Sequence, residues 1–184
     1  MGGVGPPTIY PEVKKYQDAH LRAAKDVILE YWNKYGETFG RYYHPVERYR
    51  TEGAKTLLLT MGSTSETAMD SVDNLRNEGM EVGLLKLKLW RPFPFEEFGE
   101  AVREADLLVV VDRAISFGGP AGPFCSEVKA ALYNQKKMPQ VVGFVAGLGG
   151  RDIPVAGFEA MVRRGMEIVE EGGGEILEAY GVRE

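Results

Sequence analysis

Five consecutive aliphatic residues, Leu107–Val111, stop at Asp112-Arg113 and pass into the Gly- and Pro-rich stretch Ala114–Gly122. A short apolar run bounded by a charge pair and turn residues reads as a strand buried on both faces. The chain repeats this arrangement. Leu57–Thr60 enters Met61-Gly62-Ser63-Thr64-Ser65, Val82–Leu89 enters Trp90-Arg91-Pro92-Phe93-Pro94, and Val141–Val145 leads to Gly147-Leu148-Gly149-Gly150-Arg151-Asp152. In open α/β sheets the loops at the carboxyl ends of the strands form the crevice where ligands and partners dock. The candidate interface and crevice residues are therefore Ser63, Thr64, Arg91, Asp112, Arg113, Ser116, Gly118, Gly119, Gly147, Gly149, Gly150, Arg151 and Asp152.

The chain has 184 residues, enough for one α/β domain with an appendage. A net charge of −5 argues against a nucleic-acid binder, which would carry a basic face. With one cysteine, Cys125, the chain can form no internal disulfide and cannot hold an iron–sulfur cluster or a structural zinc by thiolates. Cys125 lies where a helix starts, but both histidines, His20 and His44, fall far away in the N-terminal segment. The thiol is read as structural. No apolar run approaches the roughly 20 residues that span a bilayer, and Met1–Pro7 is not a signal peptide, so a cytoplasmic protein is expected.

Along the chain, Met1–Pro11 reads as an extended lead-in and Glu12–Tyr35 as a helix that gives way at Gly36. Val13, Tyr16, His20, Ala23, Val27 and Tyr31 recur at three- and four-residue spacing, with His20 expected as a packed histidine on that stripe. The aromatics Tyr31, Trp32, Tyr35, Phe39, Tyr42, Tyr43 and Tyr49 either pin the helix down or form part of a subunit interface; both readings stay open. Residues 1–53 are read as a helical linker segment and 54–184 as the α/β domain. Within the domain, strands at Thr56–Thr60, Glu81–Leu89, Leu107–Val111 and Val141–Phe144 alternate with helices at Glu66–Asn77, Phe95–Glu104, Phe124–Tyr133 and Val155–Glu170. A last helix is expected at Glu175–Tyr180, after Gly172-Gly173-Gly174. Strands alternating with helices give right-handed βαβ units and a doubly wound, mostly parallel sheet in three Rossmann-like layers.

Gly62–Thr67 matches neither dinucleotide nor P-loop spacing, and an N-cap role for Ser63, Thr64 or Ser65 is favoured over an anion site. The prolines around Phe93 stiffen a turn that would position Arg91 for a carboxylate or phosphate. Asp112 and Arg113 point to opposite faces, so each needs its own partner. Asp152, before Ile153-Pro154, reads as an N-cap, and Arg151 as free to reach outward. No nucleophile–base pair and no metal-ligand spacing is visible, so no catalytic, metal or cofactor-binding residue is expected in this chain.

Read together, Gly62-Ser63-Thr64, Arg91-Pro92-Phe93-Pro94, Asp112–Gly118 and Gly147–Asp152 resemble one family. It is the pyruvate:ferredoxin oxidoreductases, or pyruvate synthases, within the 2-oxoacid:ferredoxin oxidoreductases. The match is to the C-terminal, transketolase C-terminal-like domain of the α subunit. Phe39-Gly40-Arg41-Tyr42 and Glu47-Arg48-Tyr49-Arg50 resemble the linker before it. The resemblance implies a complete enzyme that makes acyl-CoA and carbon dioxide from a 2-oxoacid and coenzyme A while reducing ferredoxin. Thiamine diphosphate, magnesium and iron–sulfur clusters would do that chemistry elsewhere in the complex. The implied partners are a thiamine-binding β, a γ and a ferredoxin-like δ subunit, with a homodimer also compatible. The implied role of this chain is assembly and shaping of the crevice. Two other readings stay open: a small-anion or nucleotide-binding Rossmann-like domain, and a free-standing interaction or regulatory protein.

Overall fold

The computed structural model describes residues 5–135, 137–173 and 177–183. They fall into two compact units: the chain up to Pro45 together with Leu89–Pro94, and Val46–Lys88 together with the residues from Phe95 onward.

The second unit is built on a six-stranded sheet. Its strands are β1 (Val46–Tyr49), β2 (Thr56–Met61), β3 (Val82–Leu87), β4 (Leu107–Asp112), β5 (Gln140–Val145) and β6 (Leu177–Ala179). Their order is β1-β3-β2-β4-β5-β6, with β1 antiparallel to β3 and every other pair parallel. The helices are α2 (Thr64–Asn77), α3 (Phe95–Ala101), α4 (Pro123–Leu132) and α5 (Val155–Glu170). Successive strand residues face opposite sides. Leu58, Leu84, Val109, Val142 and Phe144 therefore form one core with Ala68, Val72 and Leu75 of α2 and Phe158, Met161 and Val162 of α5. The intervening residues, among them Leu57, Leu59, Leu108 and Val110, face the other side, where α4 lies against β4 and β5. The expected doubly wound α/β architecture is present. α5 passes close over β4 at Gly165, where a Cβ would sit 2.8 Å from Val109 Cγ2.

Two strands differ from expectation. Val46–Tyr49, read as part of the linker, is an edge strand whose register pairs Glu47 with Lys86. Lys86 and Lys88 consequently lie 3.3 and 3.6 Å from Glu47 Oε2, half-buried in an ion-pair cluster. Leu177–Ala179 is a strand, not the end of a helix: it pairs with Gly143–Val145, and that ladder overrides the helix propensity of its Leu, Glu and Ala. The rest of that expected helix, at 175–176, lies outside the described residues, as do positions 1–4 of the lead-in. α3 ends at Ala101, three residues early, because Val102–Glu104 turns back toward β4.

The first unit contains α1 (Tyr10–Phe39). The helix does not yield at Gly36. It continues to Phe39 and ends on Gly40, at φ 70°, whose N–H is bonded to the Gly36 carbonyl at 2.7 Å. Gly36 serves a different purpose: the Tyr42 ring lies on it, and a Cβ there would be 2.3 Å from Tyr42 Cδ1. Tyr35, Phe39, Trp32 and Tyr43 form an aromatic group, with Tyr35 and Phe39 centroids 4.6 Å apart. The expected packing of His20 is not found. His20 is exposed, together with Val13, Tyr16, Ala23, Val27 and Tyr31 on the same stripe. Among the described residues no helix is long and apolar enough to cross a membrane.

Candidate functional site

The parallel strands β2, β4 and β5 are neighbours, so their carboxyl ends deliver three loops side by side: Gly62–Ser63, Arg113–Gly122 and Ala146–Pro154. The chain leaves β2 toward β3 on one side and re-enters at β4 on the other, which makes the β2/β4 boundary the topological switch point. The fourth expected loop, Leu89–Pro94 with Arg91, belongs to the first unit. There the Arg91 guanidinium stacks 4.9 Å from the Trp90 ring centroid and donates to the Trp90 carbonyl at 2.8 Å, next to a cis Arg91–Pro92 bond.

The β2 loop turns at Gly62, which has φ 76°. Ser63 occupies the N-cap position of α2 but makes no side-chain capping bond, contrary to the expected role. Thr64 Oγ1 instead donates to the Met61 carbonyl at 3.1 Å, and Ser65 Oγ pairs with buried Thr60 Oγ1 at 2.9 Å. These hydroxyls tie strand to helix. Only Ser63 is exposed.

Asp112 is 2 % exposed. Its Oδ1 accepts the Phe124 N–H and its Oδ2 the Cys125 N–H, each at 2.9 Å. A strand-end carboxylate thus satisfies the Phe124 and Cys125 N–H groups, orphan donors of the first turn of α4, in which Pro123 has no N–H. Burial pushes the Asp112 carboxyl above the ordinary carboxylate value, while the two N–H donors pull the other way. The side chain is consumed in bracing α4 and is not presented to the crevice. Cys125 is fully buried one turn along, and burial pushes its thiol up to about 11.

Between these ends the loop is open. Arg113, Gly118 and Gly119 are exposed, Ser116 is half-exposed, and Phe117 at the tip is 91 % exposed. Gly118 has φ 68°, and the Gly119 N–H closes the turn onto the Ser116 carbonyl at 2.9 Å. Arg113 comes together with the β5 loop, since a Cβ on Gly147 would lie 3.2 Å from its Nε.

In the β5 loop, Gly147, Gly149 and Gly150 all have positive φ, between 64° and 83°. Asp152 is not the cap of α5. Pro154 holds that position, and Asp152 is exposed two residues earlier. Arg151 is not free: its Nη1 donates to the Gly181 carbonyl, holding the segment after β6 over the loop. A cavity of about 160 Å³ lies beneath, lined by Val145, Ala146, Gly147, Leu148, Arg151, Tyr180 and Val182. Sequence reasoning missed this tail and the Thr60 hydroxyl, because both act through neighbours remote in the sequence.

Among the described residues no group of three or more His, Cys, Asp or Glu side chains is placed to hold a metal ion. The donor set does not fit an iron–sulfur cluster, because the one cysteine is sealed in the core. The Asp112 carboxylate is already bonded to two backbone N–H groups. The fold and its loops define an α/β domain that presents backbone turns, arginines and one aromatic tip at its strand ends.

Residues 54–158 match the family model described as pyruvate:ferredoxin oxidoreductase core domain II. The chain belongs to that family. It is 44 % identical over 144 residues to "Pyruvate synthase subunit PorA" of Thermotoga maritima, covering 78 % of this chain and 36 % of that one. It is 37 % identical over 174 residues to "Ketoisovalerate oxidoreductase subunit VorA" of Pyrococcus horikoshii, covering 94 % of this chain and 44 % of that one. The chain therefore spans less than half the length of these curated relatives. Its fold is also that of a region of a solved structure, the 2-oxoglutarate:ferredoxin oxidoreductase from Magnetococcus marinus with 2-oxoglutarate, coenzyme A and succinyl-CoA bound. That likeness has a TM-score of 0.52 at 17 % identity, over 68 % of this chain and 20 % of that one.

Proposed function

We propose that this chain is the non-catalytic, assembly- and crevice-shaping part of the α subunit of a 2-oxoacid:ferredoxin oxidoreductase acting on pyruvate. On this reading the complex makes acyl-CoA and carbon dioxide and reduces ferredoxin in the cytoplasm. The residues before β1 are taken as the linker segment, and β1 belongs to the α/β domain. The thiamine-binding β, the γ and the ferredoxin-like δ subunits are its partners. Thiamine diphosphate, magnesium and the clusters belong to the rest of the complex, and no chemical step runs through this chain's own residues.

The observation that carries the reading is the family match over 54–158, combined with the use made of the loop groups. Asp112, Thr64 and Ser65 are engaged in joining strand ends to helices, whereas Arg113 and Phe117 are offered outward. Such a surface suits docking better than bond-making. Pyruvate is the acid proposed because the family model matched over residues 54–158 is that of pyruvate:ferredoxin oxidoreductase. The test is coenzyme A-dependent ferredoxin reduction by the natively purified complex with pyruvate, 2-oxoisovalerate and 2-oxoglutarate. The highest kcat/KM is expected for pyruvate; a higher value for either other acid overturns the assignment.

A further inference from the structure

The cavity at the end of β5 carries an inference that does not rest on that reading. Its walls come from β5 and its loop and from the segment after β6. Backbone bonds fix them in place. The Ala146 N–H is bonded to the Asp112 carbonyl and the Tyr180 N–H to the Val145 carbonyl, each at 2.9 Å. The Tyr180 ring is seated against α5, where a Cβ on Gly157 would lie 3.0 Å from its Cε1, and it packs on the core beneath. Val145 and Ala146 are buried, whereas Leu148 and Val182 are exposed. The cavity thus has a closed apolar floor and a mouth open to solvent. It lies at the carboxyl ends of parallel strands, the side on which α/β sheets take ligands.

Size and lining select the occupant. At about 160 Å³ the cavity is smaller than the roughly 300–1,000 Å³ of pockets for drug-sized ligands, which excludes a nucleotide. An apolar cavity of about 150 Å³ takes a benzene-sized molecule, so the ligand has roughly six non-hydrogen atoms. Val145, Ala146, Leu148, Val182 and the Tyr180 ring suit an alkyl group. A sugar would leave hydroxyls against them without partners. The one charged side chain in the lining is Arg151. It donates through Nη1 to the Gly181 carbonyl and makes no ion pair with any described residue. A guanidinium has five N–H donors in a planar fork, so one carbonyl leaves donors for a carboxylate. The same charge selects against an amine. An inorganic anion would use the arginine and none of the apolar wall. We infer that this cavity binds a short-chain aliphatic monocarboxylate, with its carboxylate on Arg151 and its alkyl end against Val145, Leu148 and Tyr180.

The test is methyl and aromatic NMR of the full chain titrated with isobutyrate. Isobutylamine, of the same carbon skeleton, and inorganic phosphate are the comparisons. Saturable shifts in the millimolar range are expected at Val145, Leu148, Tyr180 and Val182 with isobutyrate, and none there with the amine or phosphate. Arg151 is exposed, so Arg151→Gln is expected to keep the core resonances of Val109 and Phe144 in place. It should raise the Kd for isobutyrate about fivefold, the upper range for an exposed ion pair. Added salt should weaken binding to the unaltered chain by screening the same pair, a check that needs no variant. The inference is overturned if isobutyrate gives no saturable shift, if the largest shifts fall elsewhere, or if the amine matches it. A Kd that neither Arg151→Gln nor salt changes also overturns it.

Discussion

Gly122 lies so close to Asp112 that a Cβ built on it would fall 2.3 Å from both Cγ and Oδ2 of the aspartate. The glycine is required by close approach, since its φ of −60° is open to any residue. Gly122→Ala is expected to push the carboxylate off the Phe124 and Cys125 N–H groups. A loss of about 2–4 kcal/mol should follow, combining overpacking with two buried donors left unpaired. Urea denaturation reads it directly, and a change below about 0.5 kcal/mol, the scale of an ordinary surface substitution, contradicts the account.

The Asp112 carboxyl has a signed pH dependence. Burial raises its pKa in the folded state. The native state therefore holds this proton more tightly than the unfolded chain does. The group's contribution to stability is full below the ordinary carboxylate value and is lost as pH rises through the raised one. In Asp112→Asn that component disappears. The stability of the wild type relative to Asp112→Asn is expected to grow as pH is lowered through the carboxylate range. A difference that is flat, or that grows toward neutral pH, refutes the assignment.

These two residues also show which parts of the molecule were readable in advance. The strands β2, β4 and β5 could be located because burial on both faces leaves continuous apolar runs ended by turns. Strand β1 could not, because Val46-Glu47-Arg48-Tyr49 is short and half charged, and only its pairing with β3 makes it a strand. Strand β6 has helix-forming residues and is extended because β5 offers it an edge. In the loops, the glycine-rich turns and a partner for Asp112 apart from Arg113 were legible, but not that partner's identity. The cap of α4 comes from Asp112, outside the helix, so no local capping pattern announces it. Arg151 looked free because its acceptor, Gly181, lies 30 residues on.

Gly165→Ala separates local propensity from packing. Alanine favours a helix interior by about 1 kcal/mol over glycine. The added methyl, however, would meet Val109 Cγ2 at 2.8 Å in the fully buried core. Packing is expected to win, with a net loss of about 1–3 kcal/mol. Thermal unfolding decides it, and a raised Tm would mean that α5 can lift from the sheet without cost.

Cys125 should be chemically silent in the folded protein. Its thiol is fully buried and pushed up to about 11. At pH 8 an aromatic disulfide reagent is expected to react only as fast as the protein unfolds, and fully in guanidinium. Immediate stoichiometric labelling of native protein would show that the α4 cap does not seal the site.

Arg113→Ala bears on assembly. The side chain is exposed beside Gly147 at the strand ends. Its removal is expected to change the Tm of this chain by less than about 2 °C, as for other exposed positions, while weakening its recovery with partner subunits. An equal loss in both measurements would make Arg113 a structural residue instead.

The most direct test of the central proposal is to purify the chain from its native source under mild conditions and identify what accompanies it by mass spectrometry. Co-purification with thiamine-binding and ferredoxin-like subunits, in a fraction that reduces ferredoxin from pyruvate and coenzyme A, is the predicted result. Recovery of the chain free of those subunits, with that activity in other fractions, would contradict it.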